Sequence, residues 1–324
     1  MSSVSEGRFP SSSVPSITPT PRRTTLLTGD GVRIEAVYTP CTAGAEADGG
    51  PASGGTAVVL AHGFTGSVDR PAVLRAAEVF AQRAAVITFS FRGHGRSGGR
   101  STVGDREVLD LAAAVSWARS LGHRRIVTVG FSMGGSVVLR HAALYTAPEA
   151  GEPGTEKVAE RATGKVAEKS TEKEETPGAD RVGRRRERIE AHGERTGAHT
   201  DAVVAVSAPA RWYYRGTAPM RRLHWVVTRP TGRLVGRLGF RTRIHREDWD
   251  PVPLSPVEAV PLITVPLLIV HGDRDPYFPV DHPRMLEAAS RGHADFWLEH
   301  GMGHAENAAD EKLLTRIADW TEPA

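Results

Sequence analysis

Three kinds of residue in this 324-residue chain stand where apolar runs stop, and their types suggest one chemistry. In "VTVGFSMGGS" a serine, Ser132, lies between glycines directly after a β-branched run. "PLLIVHGDRDP" places two aspartates, Asp273 and Asp275, after another such run, and "ADFWLEHGMGHAE" places two histidines, His300 and His304, after a third. A serine hydroxyl at its ordinary pKa is a poor nucleophile. It needs a base, and an imidazole base needs a carboxylate to orient it. All three parts are present, in the order Ser, Asp, His, each at the end of a different apolar run. A glycine-flanked serine is by itself a common turn. Here a strand before it and the apolar helix "GGSVVLRHAALY" after it predict a sharp strand-to-helix turn that holds the hydroxyl exposed at a helix N-terminus.

The elements that must position these groups alternate along the chain. "RRTTLLTGDGVRIEAVYTP" reads as a hairpin around Gly29-Asp30-Gly31. "TAVVLA", "AVITFSF", "RRIVTVGF", "DAVVAVSAP" and "PLLIVHG" are short apolar runs suited to strands buried on both faces. Between them, "RPAVLRAAEVFAQRA", "DREVLDLAAAVSWARSLG" and "VDHPRMLEAASR" have helical spacing, and "AENAADEKLLTRIADW" reads as one closing helix. The pattern predicts an α/β fold, a mostly parallel sheet with helices on both faces. Ligands in such sheets bind beyond the carboxyl ends of the strands, where the serine, aspartates and histidines fall.

The chain resembles the α/β-hydrolase fold superfamily, of serine esterase or lipase type. The resemblance rests on "AHGF" (61–64), "RGHGRSGG" (92–99), "GFSMGG" (130–135), "HGDRDP" (271–276) and "GHAE" (303–306), in family order. It implies Ser132 as nucleophile, His304 as base and Asp275 as orienting acid, the family spacing His-Gly-x-x-Asp choosing Asp275 over Asp273. Asp273 is then expected to cap its turn, and His300 to belong to the strand end. The resemblance also implies an oxyanion hole from the backbone N–H groups of Phe64 and Met133. His62 and His94 are expected to hydrogen-bond within loops beneath the site. The chain departs from the family in having Ser90 where an acidic residue is frequent, two before Arg92. Serine at position 132, rather than aspartate, speaks against haloalkane dehalogenase and epoxide hydrolase chemistry.

Around this body the composition shifts. Residues 1–22 are rich in Ser, Pro and Thr and are expected to form a disordered arm, leaving one domain over 23–324. Residues 148–200 mix acidic and basic residues with few large apolar ones, and are expected to be a charged low-complexity insertion. Residues 209–262 are rich in Arg, Trp and Tyr and are expected to form a small cap, with Leu234, Val235 and Leu238 on one side of a helix. That cap reads as a solvated basic face, or as an electropositive entrance favouring acidic substrates or a lipid surface.

The bulk numbers narrow the classes. The single cysteine, Cys41, allows neither an intrachain disulfide nor a cysteine metal cage, no apolar run is long enough for stable membrane insertion, and no secretory signal core opens the chain, so the cytoplasm is expected. The net charge is +3, and many of the basic residues lie in one tract, 181–197, that lacks interleaved aromatics or a recognition fold, so no nucleic-acid partner is expected. Neither cofactor nor metal is implied. The expected activity is cleavage of a small carboxylic ester through an acyl-enzyme on Ser132. Thioesterase or amidase/peptidase chemistry with the same groups is the near alternative. A ligand-binding protein that keeps the fold without turnover is the alternative of a different class.

Overall fold

A hairpin starts the sheet, as its turn residues require. In the computed structural model, which describes residues 20–42, 55–147 and 197–322, β1 (Arg22–Leu27) and β2 (Arg33–Thr39) pair antiparallel. Gly31 takes φ 79°, and the Thr28 hydroxyl donates to Asp30 at 2.6 Å to close the turn. The calls for an N-terminal arm and for the charged insertion fall almost wholly outside the described residues.

Strand–helix units follow: β3 (Thr56–Ala61), α1 (Pro71–Phe80), β4 (Ala85–Phe89), α2 (Glu107–Ser120), β5 (Arg125–Phe131) and α3 (Met133–Leu144). After β6 (Ala202–Val206), the cap helices α4 (Ala218–Thr228) and α5 (Pro230–Gly239) precede the short α6 (Pro256–Ala259). The chain closes with β7 (Leu267–Gly272), α7 (Asp281–Ser290), β8 (Ala294–Glu299), α8 (Ala305–Ala308) and α9 (Glu311–Thr321). The eight strands lie in the order β1-β2-β4-β3-β5-β6-β7-β8, parallel from β4 onward.

Alternation along the central strands builds two cores. Ala57, Val59 and Ala61 of β3 face a cluster with α2, α3 and α7, whereas Val58 and Leu60 face one with α1 and α9. Both faces are apolar because both are covered. The chain crosses from β4 back over β3 to β5, so the strand order reverses between β3 and β5. Loops after those neighbouring strands diverge and leave a crevice at their carboxyl ends.

One local reading is corrected, and one is given its direction. The closing helix is two helices, because the Asp310 side chain accepts the Leu313 N–H at 2.8 Å and caps a new start at Glu311. In the cap, the Leu234, Val235 and Leu238 side of α5 faces solvent, and Gly232 and Gly236 face inward. A Cβ at Gly232 would overlap the Trp225 carbonyl of α4, so the two helices approach through the glycines. Arg229 between them is extended (φ −97°, ψ 141°), as a residue before proline must be.

Candidate active site

The serine turn is strained. Ser132, between β5 and α3, has φ 52° and ψ −111°, a region that a residue with a Cβ adopts at a cost of roughly 1–3 kcal/mol. Its neighbours make this possible. A Cβ on Gly130 would overlap the Gly134 carbonyl, and a Cβ on Gly134 would overlap the carbonyls of Ala61 and His62. The Ser132 N–H donates to the Val206 carbonyl at 2.8 Å, tying the turn to β6. Met133 is the first residue of α3, so its N–H has no carbonyl within the helix to donate to.

The structure brings His304 and Asp275 together with Ser132. His304 Nε2 lies 2.9 Å from Ser132 Oγ, and His304 Nδ1 lies 2.7 Å from Asp275 Oδ2. With Nδ1 donating to the carboxylate, Nε2 remains to accept the serine proton. Asp275 is buried, and its other oxygen accepts the N–H groups of Tyr277 (2.8 Å) and Phe278 (3.1 Å). Burial pushes this carboxyl up, but the hydrogen bond and charge of His304 and the Phe278 N–H outweigh it and hold it below its ordinary value. The Tyr277 ring stacks on His304 with centroids 4.3 Å apart. Behind the imidazole, Ala305 N–H donates to Ser207 Oγ at 3.0 Å. Both of those residues have positive φ, a second strained pair facing the serine turn.

Asp273 and His300 form a separate pair. His300 Nδ1 lies 2.7 Å from Asp273 Oδ2, and Gly301 N–H donates to the other oxygen at 2.7 Å. That backbone bond, then the histidine, hold Asp273 below its ordinary pKa. The His300 side chain is 89% exposed and stands in the turn after β8. Asp273 therefore joins two loops, a wider role than capping its own turn.

On the other side of Ser132 is the loop after β3. His62 Nδ1 donates to the Gly63 carbonyl at 2.7 Å, and its Nε2 accepts the Phe91 N–H at 3.0 Å. His94 bonds the Arg92 carbonyl at 3.0 Å. Burial lowers these imidazoles to about 3 and about 4, so both are neutral structural groups beneath Ser132. Sequence reasoning assigned no role to Glu306, although it closes the quoted "GHAE" motif. The buried Glu306 carboxylate accepts the Gly63 N–H at 3.0 Å and so orients the loop that carries Phe64. The carboxylate absent at position 90 comes from β2 instead: Ser90 donates to Glu35 at 2.7 Å, and Arg96 donates to the same carboxylate.

A cavity of about 230 Å³ opens over Ser132. Phe64, Met133 and Val103 line its base and Trp212, Leu223 and Val227 its cap side, so its walls are mainly apolar. Arg211 and Arg215 reach it, but so do Glu247 and Asp248, so an electropositive entrance, one of the two readings of the cap, is offset by these carboxylates. Among the described residues no group of three or more His, Cys, Asp or Glu side chains is placed to hold a metal ion.

Residues 58–313 match the model of the Alpha/beta hydrolase family, which is most of the chain. The chain belongs to the alpha/beta hydrolase family. Solved structures of similar fold include the Pyrococcus furiosus esterase Pf2001 (TM-score 0.58, 19% identity, 93% of this chain and 91% of that one). The alpha/beta hydrolase GrgF from Penicillium sp. sh18 is similar at TM-score 0.60 and 16% identity over 93% and 98% of the two chains. Est1E from Butyrivibrio proteoclasticus, with ferulic acid bound, is similar at TM-score 0.52 and 16% identity over 92% and 97%. No curated protein matches the chain in sequence. Ser132, Asp275 and His304 lie at the carboxyl edge of the sheet, after β5, β7 and β8.

Proposed function

We propose that this alpha/beta hydrolase is a serine esterase that cleaves small carboxylic esters. The observation that carries the reading is the continuous hydrogen-bonded relay Ser132–His304–Asp275 at the base of an apolar cavity. His304 takes the Ser132 proton as Oγ bonds to the ester carbonyl carbon. The resulting oxyanion is held by the backbone N–H groups of Phe64 and Met133, donors of a kind worth a few kcal/mol each. His304 then gives the proton to the departing alkoxide, leaving an acyl group on Ser132. Water, deprotonated by the same imidazole, adds to that acyl carbon, and Ser132 leaves with a proton returned by His304. Asp275 keeps the imidazole in the accepting tautomer throughout. The apolar walls favour an apolar or aromatic acyl group, and the single cysteine suits a protein of the cytoplasm.

The test is covalent labelling by a fluorophosphonate, with the modified peptide mapped, followed by turnover of aryl esters of increasing acyl length. Labelling of Ser132, its loss in Ser132→Ala, and a fall in turnover of several orders of magnitude in that variant are expected. Near-normal turnover in a folded Ser132→Ala protein would overturn the reading.

A further inference from the structure

The face of the cap that points away from Ser132 is built for a surface of its own. Between Arg211 and Arg246 lie ten arginines and no acidic residue. Against a whole-chain charge of +3, the rest of the chain carries −7. Within that basic stretch the outward side of α5 is apolar: Leu238 is 73% exposed and Leu234 55%, with Val235, Phe240 and Trp225 of α4 also exposed. The helix turns its small residues inward instead. Gly232 and Gly236 seat it on α4, so the large apolar groups have no place beneath the cap. Arg233 and Arg237 run along one edge of the apolar side, and Arg229 and Arg241 stand at the two ends of the helix. Among the described residues, Arg222, Arg229, Arg237 and Arg241 form no ion pair.

We infer that the α4–α5 hairpin docks on an anionic lipid surface, with Leu234 and Leu238 entering the acyl boundary and the arginines meeting headgroup phosphates or carboxylates. Large apolar groups bordered by cations along one edge and at both ends of a short helix match the chemistry of a membrane interface. Two other occupants fit less well. A second copy meeting this face about a two-fold axis would bring the arginines of one copy against those of the other. The chain's own residues 148–196 carry carboxylates but few large apolar side chains with which to cover the leucines. No helix among the described residues is long and apolar enough to cross a membrane, so the contact is at the surface. The same hairpin lines the cavity through Leu223 and Val227 of α4, so docking brings the roof of the cavity to the lipid.

The experiment is flotation of the full chain with vesicles of phosphatidylcholine alone and of phosphatidylcholine with about one-third phosphatidylglycerol, at low and physiological salt. Binding to the phosphatidylglycerol vesicles, weakened by salt, is expected. The double variant Leu234→Ser/Leu238→Ser should partition at least about tenfold less, and Arg237→Gln/Arg241→Gln about tenfold less with a flatter salt dependence. Turnover of a short soluble aryl ester should be unchanged in both variants and reports that they fold. Failure of the full chain to float with phosphatidylglycerol vesicles at low salt would overturn the proposal, as would unchanged binding by the leucine variant. So would light scattering showing a dimer that the leucine variant splits, since the face would then belong to a second copy.

Discussion

The Gly63 N–H donates a 3.0 Å hydrogen bond to Glu306, a residue 243 positions later in the chain. Glu306 is two residues past His304, and Gly63 is one before Phe64, so this bond joins the imidazole loop to the proposed oxyanion loop. A second tie comes from Arg75, whose guanidinium donates to the Glu306 carbonyl at 2.7 Å. Without the carboxylate, the Gly63 N–H is unpaired and the loop is free to turn its donor away. Glu306→Ala should lower kcat about tenfold, or about 1.4 kcal/mol, with KM little changed, because the oxyanion forms only in the transition state. Glu306→Gln keeps a carbonyl acceptor and should recover most of that loss. Steady-state kinetics beside circular dichroism checks both, and equal, unchanged kcat in the two variants would show that the clamp is not needed.

The two aspartates after β7 should behave differently. Asp275→Asn removes the charge beside His304 and allows the wrong tautomer, and should reduce kcat by about 10⁴-fold. Asp273→Asn touches only the exposed His300 and the Gly301 N–H, and should stay within about threefold of the unaltered protein. Kinetics of the two single variants on one aryl ester separates these outcomes. A larger loss from Asp273→Asn would reverse the assignment.

Acid should destabilise the fold through two buried histidines. His62 and His141 are fully buried, and burial lowers each to about 3, against about 6.5 when unfolded. Between those values the unfolded chain binds more protons than the fold. The stability is therefore complete above 6.5 and is lost as pH falls toward 3, at roughly 2 kcal/mol per histidine by pH 5. Urea unfolding at pH 7 and pH 5 measures the loss. His141→Phe, which keeps a ring to stack on Tyr145 (4.5 Å between centroids), should reduce the difference between the two pH values.

Residues 149–196 should be dispensable for the fold and for activity. The described residues on both sides of that stretch converge: Leu144 and Tyr145 pack with Ala198 and Ala112 in one small buried cluster. A short Gly/Ser link can span such ends. Loop-closure entropy changes slowly with length, so the shortened protein should be more stable by only about 1–2 kcal/mol. Thermal unfolding and ester turnover of the two proteins check this. A large loss of either would show that the segment packs on the body or serves the site.

Much of the site was legible before folding because strand ends announce themselves. Apolar runs that stop at "GFSMGG", "HGDRDP" and "EHGMGHAE" determine which residues reach the carboxyl edge of a parallel sheet, since buried strands tolerate few polar groups. The glycines around Ser132 were readable for the same local reason: a turn that tight excludes a Cβ. The family resemblance added the choice between neighbouring aspartates and histidines, and the structure pairs each aspartate with a different histidine. What spacing could not decide are contacts between residues far apart in the chain. Glu306 on Gly63, Glu35 standing in for an acid at position 90, and Ser207 behind Ala305 depend on which loops the sheet order makes neighbours. The cap is the plainest case. Periodicity shows that Leu234, Val235 and Leu238 share one side of a helix, but an apolar side is buried only if the opposite side is not the better packer. Two glycines permit a closer approach to α4 than leucines do, and so the tertiary structure turned the leucines outward.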